Sequence, residues 1–89
     1  MNSRITRNFR HRLAELPASV RRQASIAYKQ FRADPHHRSL RFKKVHPKLP
    51  IYSARINDAF RVVGQMRNDA IVWFWIGKHE EYERLLKQL

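Results

Sequence analysis

The chain has 89 residues, 43% of them hydrophobic and 11% aromatic, no cysteine, and a formal net charge of +12 from nineteen Lys and Arg against seven Asp and Glu. That length supports one domain over residues 1–89 around one core and predicts no deep enclosed cavity, so a functional site is expected on an open surface. The apolar content excludes a disordered basic tail, the lack of cysteine excludes disulfides and thiolate chemistry and suits a reducing cytoplasm, and no segment reads as a signal peptide or bilayer span.

The charge implies a polyanionic partner such as nucleic acid, a ribosome or an acidic protein. A membrane surface fits less well, because the basic residues do not gather along one strongly apolar helix.

Ile5 and Phe9 lie in a basic opening segment that reads as a short strand running into a helix. Phe9, Leu13 and Leu16 recur at helical spacing until Pro17 interrupts. From Ser19 to Ala33 the apolar stripe Val20, Ala24, Ala27, Tyr28 and Phe31 predicts a second helix, stopped at Asp34-Pro35 because a residue before proline is pushed out of the helical region. Together they form a helical hairpin.

Leu40 to Val45 alternates weakly and predicts a lysine-bearing edge strand. Past the stiff connector His46–Pro50, three strands follow, joined by two-residue turns at Asn57-Asp58 and Asn68-Asp69, since Asn and Asp tolerate the positive φ of tight hairpins. On that register Ala54 faces Arg61 and Arg61 faces Ile76. Tyr52, Ala54, Arg61 and Val63 then share one face, and Phe60, Val62, Ile71, Trp73 and Trp75 share the apolar face that receives the helices. Ala70 to Ile76 is apolar throughout, the mark of a central strand, and Gly77 ends it. Tyr82, Leu85, Leu86 and Leu89 predict a closing helix with Glu80 and Glu81 at its positive end. The expected fold class is α+β: a helical hairpin on a twisted antiparallel sheet of three to four strands, with a short C-terminal helix.

Two glycines cannot build a phosphate loop, no metal-ligand spacing occurs, and adjacent His36 and His37 would point apart in a strand, so neither a metal nor another cofactor is expected. What remains is a basic set suited to cutting RNA, where a 2′-hydroxyl attacks the neighbouring phosphorus and needs a proton acceptor, a cation for the phosphate and a proton donor to the leaving oxygen. Arg61 suits the cationic task, unless it is a solvated strand arginine. His79, after a strand end and before a helix, is placed to move a proton, or else caps the helix. Tyr82 can stack on a base or orient the site, yet its place in an apolar stripe favours anchoring in the core. Arg41, Lys43, Lys44, Lys48 and Lys78 form a candidate phosphate-tracking rim. Arg55 points by parity toward the helices, and a one-residue slip in register would turn it to the open face.

The motifs Leu16-Pro17, Asp34-Pro35, Tyr52-Ser53-Ala54-Arg55-Ile56, Phe60-Arg61-Val62-Val63 and Ile76-Gly77-Lys78-His79-Glu80-Glu81-Tyr82 occur in an order and spacing that resembles the RelE/ParE superfamily of bacterial toxins from type II toxin-antitoxin systems. The resemblance covers essentially the whole chain. It implies a helical hairpin on an antiparallel sheet with a final helix, and a cognate antitoxin, expected to be acidic and to cover the Arg61 face or displace the final helix. RelE-like members cut messenger RNA in the ribosomal decoding site, whereas ParE-like members poison DNA gyrase. Arg61 matches the arginine that the nucleases use on the scissile phosphate, His79 stands where relatives place a basic or acid-base residue, and Tyr82 lies near a terminal tyrosine. Where RelE-type members carry two lysines on the preceding strand, this chain has Tyr52 and Ala54. The proton acceptor then falls to His79 or to the Arg41–His46 segment, as in histidine-using YoeB-like and HigB-like relatives.

The expectation is a metal-independent messenger-RNA endoribonuclease acting on the ribosome in the cytoplasm. A gyrase inhibitor and a non-catalytic RNA-binding module are the alternatives.

Overall fold

The helical hairpin forms where the apolar stripes place it. In the computed structural model, which describes Met1–Leu89, α1 spans Arg7–Ala14 and begins with the Thr6 hydroxyl accepting the Phe9 amide at 3.1 Å. Helix α2 spans Ala18–Ala33 and ends at Asp34, whose φ of −153° is the extended conformation required before proline. Phe31, 2% exposed, anchors α2 through edge-on contacts to Phe42 at 5.0 Å and Trp73 at 5.3 Å. Truncating such a ring costs about 3–5 kcal/mol.

Five strands make one sheet: β1 (Asn2–Ile5), β2 (Lys43–Lys44), β3 (Ile51–Arg55), β4 (Phe60–Arg67) and β5 (Ala70–Lys78). Their order is β1-β5-β4-β3-β2, with β1 parallel to β5 and all other pairs antiparallel. The sheet is therefore mixed and one strand wider than expected. Ser3 fixes β1 in place, its carbonyl accepting from the Tyr28 hydroxyl and its hydroxyl from the Trp73 indole. Beyond β1 the edge of β5 is closed by α1: Asn8 donates to the Phe74 carbonyl at 2.9 Å and Arg12 to that of Ile76 at 2.7 Å.

The predicted edge strand over Leu40–Val45 shrinks to Lys43–Lys44. Arg38–Leu40 closes into a single 3-10 turn, and Arg41 follows in the left-handed region at φ 46°, which interrupts extension.

The turn at Asn68-Asp69 has the expected length, with Arg67 opposite Ala70 and Asn68 at φ 56°. At Asn57-Asp58 the loop is longer. The Ile56 amide donates to the Phe60 carbonyl, and Arg55 rather than Ala54 stands opposite Arg61. Asn57 accepts the amides of Ala59 and Phe60 on its side-chain oxygen, at 2.8 and 2.9 Å, and this draws Ala59 into the loop. One residue of slip turns all of β3 over. Ser53 and Arg55 take the Arg61 face, while Tyr52 and Ala54 pack toward the hairpin.

A second shift separates the tryptophans. Val63 pairs with Trp75 and Gly64 with Trp73, so Phe74 is bulged out of the ladder. Trp73 joins Phe9, Phe31, Val62, Ile71 and Ile76 under the hairpin. Trp75 instead packs with Ile51, Val63 and Tyr82 on the opposite face. That face is covered by α3 (His79–Gln88), through Tyr82, Leu85 and Leu86. Arg61 now lies opposite Gly77, not Ile76.

Between α2 and the sheet lies a partly open apolar cavity of about 300 Å³, lined by Phe9, Leu13, Phe31, Leu40, Ala54 and Trp73 among others. No helix is long and apolar enough to cross a membrane.

Candidate functional site

The site grows from the β3–β4 hairpin. Residues directly opposite across an antiparallel pair project to the same face, so Arg55 and Arg61 stand side by side on the sheet face away from the helical hairpin. Arg61 lays one edge of its guanidinium on the loop, with Nη1 donating to the carbonyls of Asn57 at 2.7 Å and Phe60 at 3.0 Å. Burial, and then the neighbouring Arg55 charge, push the Arg61 guanidinium below its usual pKa, and Arg41 adds to the repulsion. An arginine still keeps its proton under such pressure. What the site stores is unspent attraction for an anion.

Arg55 is paired with Asp58, whose carboxyl is held below the usual carboxylate range by the hydrogen bond and charge of Arg55, with Arg41 and Arg61 adding to the effect. Asp58 is at the exposed end of the loop, and its neighbours are three arginines. The net charge of this cluster is positive.

His79 opens α3, and its backbone amide donates to the Ala59 carbonyl at 2.8 Å. The loop over residues 57–60 thus binds the Arg61 guanidinium with the carbonyls of Asn57, Phe60 and, at 3.5 Å, Asp58, and the start of α3 with that of Ala59. The His79 ring stacks on Tyr82 with centroids 5.6 Å apart and planes inclined by 28°. Its Nδ1 lies 3.4 Å from Glu83. With Nδ1 turned to a carboxylate, Nε2 is the ring nitrogen left for a substrate.

Tyr82 is buried, and its hydroxyl pairs with that of Ser53 at 3.1 Å. Its ring supports that of His79 from beneath, and its hydroxyl ties that support to β3. The sequence reading missed Ser53, because the expected register hid it under the hairpin; the only available signal was the Asn57 side chain lengthening the turn.

Of the expected phosphate-tracking rim, Lys43 pairs with Ser53 and so shares the Arg61 face, whereas Lys44 pairs with Tyr52 and faces the other way. Arg41 contributes charge to the cluster from outside the sheet. Lys48 lies in a loop held by His46, whose Nδ1 accepts the amides of Lys48 and Leu49. Lys78 is exposed at the start of α3, its amide accepted by Glu81 at 3.1 Å. No three His, Asp or Glu side chains converge as a metal-ligand set.

Residues 18–84 match the sequence model of the ParE-like toxin domain. The chain belongs to the ParE-like toxin family. The fold of this RelE/ParE-type toxin agrees. A chain of the RelB-RelE antitoxin-toxin complex from Methanococcus jannaschii superposes with a TM-score of 0.74 at 13% identity, over 92% of this chain and 96% of that one. For the RelE-RelB complex from Pyrococcus horikoshii the TM-score is 0.68 at 18% identity, over 86% and 92% of the two chains. Isolated E. coli RelE toxin gives 0.62 at 16% identity, over 98% and 96%. At these identities the likeness is one of fold. No curated protein matches the toxin at the sequence level.

Proposed function

We propose that this RelE/ParE-type toxin is a messenger-RNA endoribonuclease that needs no metal and acts on ribosome-bound message in the cytoplasm. The observation that carries this reading is the cross-strand pair Arg55–Arg61, fixed to the same loop that fixes the start of α3 at His79. A scissile phosphate seated on the free edge of Arg61, with Arg55 beside it, gains charge stabilisation as the 2′-hydroxyl attacks and phosphorus becomes five-coordinate.

His79 takes up the 2′-hydroxyl proton through Nε2, with Glu83 at Nδ1 orienting the ring. The 2′-oxygen bonds to phosphorus, the bond from phosphorus to the 5′-oxygen of the next nucleotide breaks, that oxygen takes a proton from solvent water, and a 2′,3′-cyclic phosphate remains. Tyr82 contributes by holding the His79 ring. Arg41, Lys43, Lys48 and Lys78 guide the flanking phosphates.

An acidic RelB-type antitoxin is the proposed partner, supported by the net charge of +12 and by two fold neighbours solved as RelB-RelE complexes. It would silence the toxin by covering the Arg55–Arg61 face.

Brief induction followed by primer extension on cellular messages tests the reading. Wild type is expected to give defined cuts, and Arg61→Ala and His79→Ala to give few or none. Equal cutting by all three removes both residues from the mechanism. Intact message with DNA-damage signalling transfers the toxin to the gyrase-directed activity of ParE-like relatives.

A further inference from the structure

Most of the positive charge lies away from the candidate site. Helices α1 and α2 hold seven Lys or Arg and no Asp or Glu, whereas α3 sets Glu80, Glu81 and Glu83 against Arg84 and Lys87. The Arg55–Asp58 ion pair and the His79–Glu83 contact are both on the Arg61 side of the sheet. The hairpin buries Phe9, Val20, Ala24 and Phe31 against the other side of the sheet. Its outer face is therefore a cationic surface with no ion pair of its own, the carboxylates Glu15 and Asp34 standing only at the helix ends, and it points away from Arg61.

Arg22, Lys29 and Arg32 lie along one outward stripe of α2, all exposed, with no side-chain hydrogen bond to the protein. From Arg22 to Arg32 the stripe runs about 15 Å at the helical rise. The Met1 ammonium adds its charge at the far end, donating to the Arg32 carbonyl at 3.3 Å. On the neighbouring helix, Arg7 and Arg10 are exposed as well.

What this face lacks selects the partner. A protein interface needs a desolvated centre with aromatic or apolar anchors, and the only large exposed apolar side chain on either helix is Ile26. Single-stranded nucleic acid needs aromatic platforms for its bases. Phe9 and Phe31 are buried, and the hydroxyl of half-buried Tyr28 is spent on Ser3. A row of arginine and lysine without stacking groups suits the continuous phosphate backbone of a duplex.

We infer that the outer face of the α1–α2 hairpin is a second docking surface, one that holds the phosphate backbone of double-stranded RNA. The choice of RNA rests on the proposed function, but the phosphate contact does not. With its two cationic faces on opposite sides of the sheet, the toxin rests on a folded RNA with one and presents Arg55 and Arg61 to a single strand with the other.

The test is fluorescence anisotropy of the purified full chain with a short RNA duplex, a DNA duplex of equivalent sequence and a single-stranded RNA, each over a salt series. The triple variant Arg22→Ala, Lys29→Ala, Arg32→Ala is expected to bind duplex RNA about tenfold more weakly at low salt and to flatten the log–log salt slope by roughly 2, since up to three phosphate contacts are lost. Arg61→Ala is expected to keep both. The three replaced side chains make no internal bonds, and an unchanged melting temperature would verify the fold.

Unaltered affinity and slope in the triple variant overturn the proposal. So does a loss confined to Arg61→Ala, which would place the duplex on the candidate site. DNA bound as tightly as RNA overturns the assignment to RNA. Message left intact by the wild-type toxin would sink the nuclease reading and leave this surface standing.

Discussion

Arg55 and Arg61 face each other across β3 and β4, two guanidiniums on one sheet face where a cross-strand pair ordinarily avoids like charge. The arrangement persists because Asp58 holds Arg55 and the loop carbonyls hold Arg61. Repulsion that a fold tolerates at one spot becomes affinity when a phosphate arrives there.

Removing either cation should therefore separate activity from stability. Arg61→Ala is expected to slow RNA cleavage roughly 100- to 1,000-fold, the usual effect of deleting one preorganised charge-stabilising donor. Arg55→Ala should also slow it. Neither should lower stability by more than about 0.5 kcal/mol, as for substitutions outside the core. Single-turnover rates beside thermal melts of the same samples check both halves; a large drop in stability with normal cleavage would make the pair structural.

The Asp58 carboxyl gives a pH prediction. Its folded value lies below the ordinary 3.8 because of the Arg55 hydrogen bond and charge. A depressed carboxylate stabilises the fold above its unfolded value, and that contribution fades as pH falls through the lower folded value. Between neutral pH and about 5, wild type should be more stable than Asp58→Asn by a constant small margin, which vanishes in stronger acid. Carboxyl-carbon NMR titration should place the Asp58 midpoint under 3.8, and Arg55→Ala should return it upward.

Gly77 reports on the floor of the site. A Cβ there would come within 2.6 Å of the Trp75 ring and 3.0 Å of an Arg12 guanidinium nitrogen. Arg12 in turn lies 4.9 Å from the centre of the Trp75 ring system, having crossed the β5 edge from α1. Gly77→Ala must displace a rigid ring that is only 8% exposed, so it should cost about 1–3 kcal/mol and shift tryptophan emission. Chemical denaturation followed by fluorescence reads both, and an unperturbed spectrum at wild-type stability would refute the crowding.

The sequence makes the helices and their order legible, because apolar stripes at helical spacing and prolines at their ends leave few alternatives. It also makes the Asn68 turn legible, since a two-residue hairpin loop needs a residue at positive φ and Asn68 supplies it. Asn57-Asp58 looks the same in one dimension. There Asn57 spends its side chain on the amides of Ala59 and Phe60, no residue of the loop reaches positive φ, and the loop gains a residue. Periodicity cannot locate the Phe74 bulge either, because a run that is apolar on both faces carries no parity. Arg61 and His79 were readable as candidates from chemistry and position, whereas Ser53 and the pairing of Arg55 with Arg61 depended on register.

Tyr82 distinguishes support from chemistry. Its hydroxyl pairs with Ser53 in a buried setting, and its ring stacks on His79. Tyr82→Phe keeps the ring and loses the hydroxyl, so it should cost about 1 kcal/mol of stability while leaving cleavage within severalfold of wild type. Ser53→Ala should cost as much or more, because it strands the phenol. The double variant should cost less than the sum of the two, since each single change already breaks the shared bond. Tyr82→Ala removes the surface beneath His79 and should reduce cleavage beyond what its lost stability explains, at temperatures where the variant is still folded. If Tyr82→Phe instead abolished cleavage in a folded protein, the hydroxyl itself would enter the proton transfer and Tyr82 would move from support into the reaction.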